Sequence, residues 1–186
     1  MFRFFIVAIS LLFILIGCTS SDSISQDEID KYSVQQTSDN TVEEDFIFRL
    51  VTEKGEYKVG EEINLHGELV YTGDKDAVTI AHSGTAIYFQ MKEMVREYTI
   101  DYPISEIGVE RTIDRNEVIH EVYVKQRAFS LEDDTSYKMF LDKFMEQDGF
   151  PAGYYVVNGI ASFTVTTEGM NKSYHMEATV DFKVKP

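Results

Sequence analysis

The chain has 186 residues, 44% of them apolar and 26% charged, with 17 basic against 32 acidic side chains. That is one domain's worth of material with enough apolar residues for a core, and it excludes a collagen, a coiled coil and a polytopic membrane protein. The formal charge of −15 argues against a nucleic-acid partner, which needs clustered Lys and Arg to release counterions from phosphates.

Residues Phe2 to Ile16 are almost wholly apolar, interrupted by Arg3 and Ser10. A basic residue near the start, an apolar run of about 7–15 residues and a small residue before a cut make an export signal. The alternative, a transmembrane anchor, fits less well, because the run from Phe4 to Cys18 falls short of the roughly 20 residues that cross a bilayer. Cys18 is the single cysteine, which excludes an internal disulfide framework.

The run ends in Leu15-Ile16-Gly17-Cys18, which resembles the lipobox of bacterial lipoproteins. The resemblance implies that residues 1–17 are a signal peptide cut before Cys18, that the Cys18 thiol carries a diacylglyceryl group, and that the protein sits on the extracytoplasmic face of a cell membrane. Two acyl chains suffice for stable anchoring, at about 0.8 kcal/mol per buried methylene. Loss of residues 1–17 removes Arg3 and no acid, which moves the formal charge from −15 to −16. Anionic lipid repels such a body, so it is expected to stand off the membrane.

From Thr19 to Glu44 the chain is rich in Ser, Thr, Asp, Glu, Gln and Asn, with isolated apolar residues such as Ile24, Ile29, Tyr32 and Val34 that follow no period. Such composition reads as a flexible linker over 18–45, lipidated at its first residue, with room for a short helix around Gln26 to Val34. A coil of that length spans about 25–30 Å.

Alternation begins after Asp45 and predicts a β domain over 46–186. Phe46, Phe48 and Leu50 share one face of a first strand, and the turn around Gly55 leads to a second in which Ile63, Leu65, Gly67, Leu69 and Tyr71 share a face. Ala77 to Ala81 is a short strand, and Ile87, Phe89 and Met91 mark the next. A weak strand near Glu97 to Ile100 precedes poorly patterned chain. Val118, His120, Val122 and Val124 then alternate with Ile119, Glu121 and Tyr123. Ser136 to Gln147 carries Tyr137, Phe140 and Phe144 at helical spacing, an amphipathic helix expected to close an end of the fold. The last two strands, through Tyr155 to Val165 and Tyr174 to Val184, form a hairpin. The sum is an all-β, antiparallel, immunoglobulin-like β-sandwich with one short inserted helix.

The stretches Gly55 to Leu65, Gly67 to Gly73 and Pro151 to Val157 are similar to bacterial immunoglobulin-like modules, and in particular to the BsuPI type of intracellular proteinase inhibitor domain. The resemblance implies an immunoglobulin-like fold and raises inhibition of an extracellular or envelope proteinase as one function, although no inhibitory loop transfers residue by residue.

Candidate chemistry is sparse. His66, His120 and His175 sit mid-strand and His82 in a turn, without the close ligand pairs of a zinc site. His66 and His175 are expected on a solvent face, with His120 half-buried on the valine side. His82-Ser83 lacks the surroundings of a hydrolase nucleophile. Acidic groups at Asp74/Asp76 and Glu132-Asp133-Asp134 read as solvated turns in preference to calcium loops. Tyr98, Tyr102, Tyr123 and Tyr154 are the aromatics expected at the surface, where they would suit a protein or glycan contact. The expectation is a binding or scaffold module of the bacterial envelope with no catalytic residue, metal or cofactor, partnered by the membrane through Cys18 and by an envelope protein. Proteinase inhibition is the alternative.

Overall fold

The computed structural model describes residues 24–128, 133–167 and 169–186, so Cys18 and the expected signal peptide lie outside the described residues. The described chain is a two-sheet β-sandwich. The first sheet has the order β1 (Ser38–Glu43), β2 (Phe46–Thr52), β4 (Leu65–Tyr71), β9 (Val118–Val122). The second runs β3 (Glu56–Lys58), β11 (Met170–Lys185), β10 (Gly153–Thr167), β5 (Ala77–His82), β8 (Val109–Asp114). On the other half of β10, β6 (Ile87–Glu93) pairs instead and carries β7 (Tyr98–Ile100) at its edge. All pairings are antiparallel except β3 with β11, which is parallel.

Alternation drives this arrangement, because a strand with one apolar face gains by burying it. Phe46, Phe48 and Leu50 of β2 point inward together, as do Leu65, Gly67, Leu69 and Tyr71 of β4. They meet Ile87, Phe89 and Met91 of β6 and the inner faces of β10 and β11 in one core cluster. Each fully buried Phe there contributes about 1.5–3 kcal/mol of transfer free energy. At Gly159 the two sheets approach closely, for a Cβ there would lie 2.7 Å from Leu50 Cδ1. The β10–β11 hairpin is the longest pairing, 15 residues against 16, and extends each arm past the expected ten or so. Two short strands, β3 and β8, stand where the alternation was too brief or too polar to announce them.

The expected helix exists as α2 (Thr135–Glu146), with Phe140, Leu141 and Phe144 buried. Asp134 caps it by accepting from the Tyr137 amide at 2.8 Å. It packs on β7 through Tyr98, whose ring lies 5.2 Å from both Tyr137 and Phe140.

The linker expectation is corrected from Ile24 onward. Residues Gln26–Asp30 form α1 behind a Ser25/Glu28 capping box, and Ser38–Glu43 pairs in register with β2. Composition misled because this arm is held by single anchors, not by an apolar face. Ile29 is fully buried, and the Tyr32 ring stacks on Tyr154 at 4.7 Å. The amides of Gln35 and Gln36 donate to the carboxylate of Asp181 at 2.8 and 2.9 Å, and Tyr154 Oη donates to it at 2.6 Å. Asp39 and Thr41 then bond the β11 backbone at Thr179 and Glu177, which seals β1 onto the second sheet. The domain therefore starts at or before residue 24, not at 46.

Candidate functional site

The arm also decides the fate of one tyrosine expected at the surface. Tyr154 is on the outer face of β10 but is only 7% exposed, because Tyr32 covers it. Burial, and then its bond to Asp181, push its hydroxyl well above the usual tyrosine range. Tyr98, Tyr102 and Tyr123 are half-buried against the core. Burial likewise raises Tyr123 far above its ordinary value. None of the four makes an exposed aromatic platform.

Two of the four histidines come together. His66 on β4 and His120 on β9 are diagonal neighbours across the strand pair, with ring centroids 4.6 Å apart. His66 Nε2 lies 3.8 Å from Glu68 Oε1, and its Nδ1 is 3.3 Å from Asn64 Oδ1. Burial, and then the charge of His120, lower the His66 pKa. The histidines expected to face solvent, His66 and His175, do so. His120 does not go inward as expected: Ile119 is the buried residue of β9, and Val118, His120 and Val122 all face out. Apolar residues stand on both sides of that strand, so its alternation left the choice of face undetermined. Among the described residues no group of three or more His, Cys, Asp and Glu is placed to hold a metal ion.

The other candidates are local structure. His82 Nδ1 meets the Ser83 carbonyl oxygen at 2.5 Å, not a serine hydroxyl. Asp76 pairs with Arg115 at 3.2 Å, and Asp134 is the α2 cap. Glu132 lies outside the described residues.

What sequence reasoning missed is the free side of β9. Tyr123 N donates to Leu65 O at 2.8 Å, so Tyr123 is a bonded partner on β4. Antiparallel pairs alternate between bonded and non-bonded. Glu121 and Ile119 therefore bond to Gly67 and Leu69, while the N–H and C=O groups of Val118, His120 and Val122 point away from the sheet. Among the described residues none of these groups has a hydrogen-bond partner. Val118 is 48% exposed, Val122 49% and Val124 62%.

That edge runs into an open cleft of about 520 Å³ lined by Val122, Val124 and Phe150 together with Glu53, Glu62 and Asp148. Its far wall is fixed by two contacts. Gly149 packs onto the chain at Glu61 so tightly that a Cβ would fall 2.2 Å from the Glu61 carbonyl oxygen. Lys125, just past β9, sends its ammonium to the carbonyls of Phe144, Gln147 and Gly149 at 2.6, 2.7 and 2.5 Å. It thereby neutralises the carbonyl end of α2. Burial lowers the Lys125 pKa. A strand edge beside a cleft lined by apolar and acidic side chains has the chemistry to take an extended chain.

No known protein-family model matches the chain, and no curated protein matches it either.

Proposed function

We propose that this chain is a lipid-anchored, extracytoplasmic module of the bacterial envelope, immunoglobulin-like in architecture, that works by binding or scaffolding another envelope protein and not by bond-making. The anchor rests on Leu15-Ile16-Gly17-Cys18. The observation that carries the binding half is the unpaired β9 edge opening into the cleft at Val122. Unpaired, apolar strand edges recruit other chains unless they are blocked, so retaining one suits a protein whose work is contact. The Cys18→Ala protein should leave the detergent phase or stall in processing, and unchanged detergent partitioning of that variant would sink the anchor. Crosslinking in intact cells should attach one recurrent envelope protein, and its absence would sink the scaffold.

One observation favours proteinase inhibition as a second reading. The irregular chain between β7 and β8 presents Ile107 at 72% exposure while Gly84 N holds Ser105 O at 2.9 Å. An exposed segment pinned at its middle is what a proteinase cleft could grip, and titration of the purified chain into secreted proteinases tests it: an inhibitor slows them stoichiometrically.

A further inference from the structure

The five sheet edges are not treated alike. β1 is bonded across to β11 by Asp39 and Thr41. β3 and β7 are three residues long, and β7 lies under Tyr137, which donates to the Thr99 carbonyl at 2.7 Å. β8 carries Glu110, Arg111 and Asp114 in exposed positions. These are the ordinary ways of blunting an edge: shortness, cover and charge. β9 has none of them among the described residues, for its outward side chains are Val118, His120 and Val122.

We propose, building on the binding function above, that β9 is a strand-addition site for an extended basic peptide of a partner protein. The peptide lies beside Val118–Val122 and sends Lys or Arg side chains into the adjoining cleft. Three residues with free N–H and C=O groups, repeating every second position, supply main-chain bonds at a spacing of about 6.7 Å. Val118 and Val122 offer apolar neighbours to alternate side chains of the incoming strand. Charge then selects the occupant. Glu53, Glu62 and Asp148 make no side-chain hydrogen bond or ion pair among the described residues, whereas the one cation of the cleft, Lys125, has its ammonium engaged by three carbonyls. Neutral carbonyls leave the Lys125 charge in place beside Asp148, so three acids against one ammonium give the cleft a net negative charge. A second copy of this chain is the wrong occupant, because it would bring another acidic cleft and another formal charge of −15 to the same edge.

The test uses the full chain in detergent and two labelled heptapeptides, one alternating Lys with Val and one alternating Glu with Val. The Lys peptide should bind at least tenfold more tightly than the Glu peptide. His120→Pro removes a free edge N–H and leaves the ladder to β4 intact, and it should weaken Lys-peptide binding at least tenfold. Should that variant fail to fold, the combined Glu53→Gln, Glu62→Gln, Asp148→Asn protein keeps the edge and should lose the preference for Lys over Glu. Equal binding of the two peptides, or Lys-peptide binding that both variants leave unchanged, overturns the proposal. So does a dimer in sedimentation that His120→Pro dissolves, which would assign the edge to self-association. A photo-crosslinking residue at Val122 and another at Met170, on the far hairpin, separate the two levels of the argument in cells. Adducts from Met170 alone sink the β9 site and spare the binding function. Adducts from neither sink both.

Discussion

The two flanks of the sandwich show opposite solutions to the same problem. On the β1 flank the chain covers its own seam with a 20-residue arm bonded to β11 at Glu177, Thr179 and Asp181, the single carboxylate of Asp181 accepting from the Gln35 and Gln36 amides and from Tyr154. On the β9 flank the backbone ends in groups that are unpaired among the described residues, beside half-exposed valines. A sheet can tolerate one open side when the other is locked, and the difference teaches that the two edges of one sheet need not be finished in the same way.

The largest effect is expected on the locked flank. Asp181→Ala leaves two amides and a buried hydroxyl without their acceptor and should cost about 3–5 kcal/mol in denaturant unfolding, with amide exchange at Gln35 and Gln36 accelerating first. A smaller loss would mean that the arm is held by its apolar anchors and not by the carboxylate. Ile29→Ala, which hollows the contact beneath α1, should cost about 2–4 kcal/mol. Tyr154→Phe keeps the stack on Tyr32 and deletes one bond to Asp181, for about 1 kcal/mol. On the open flank the paired change Val118→Thr, Val122→Thr should shift stability by no more than about 0.5 kcal/mol. A large loss there would show that β9 is part of the folding core and end the contrast.

The smallest effect is a pH dependence. His66 has a lowered pKa when folded, so below about 6.5 the unfolded chain takes up the proton first. Stability should be full above that pH, fall slightly as pH drops toward the folded value, and then level. His66→Asn should flatten this part of the profile, and an unchanged slope would place the titrating group elsewhere.

Much of the frame was legible because strong alternation leaves a strand one way to lie. The hairpin of Tyr155, Val157, Ala161 and Phe163 against Tyr174, Met176, Val180 and Phe182 is of this kind, and the helix carrying Phe140 and Phe144 shifted by only one residue. The arm escaped because Ile29, Tyr32 and Asp181 act through single long-range contacts, which no local period records. Glu56–Lys58 escaped because three residues cannot show alternation, and the face of β9 because Ile119 and Tyr123 are as apolar as Val118, Val122 and Val124. The tyrosines were misplaced for a related reason: Tyr154 is on an outer face by count, and only the distant Tyr32 buries it. The open edge itself was invisible, since which strand stands last in a sheet is a property of pairing order and not of its own residues.

The docked arm also sets the length of the leash. Ile24 is six residues along the chain from Cys18, and six peptide steps reach at most about 20 Å. A lipid on that thiol would moor the body close against the headgroups instead of letting it drift, turned so that the end bearing α1 and the C-terminus looks toward the bilayer. A partner would then have to come in from the side, within the shallow layer of water next to the membrane, which favours other moored proteins over freely diffusing ones.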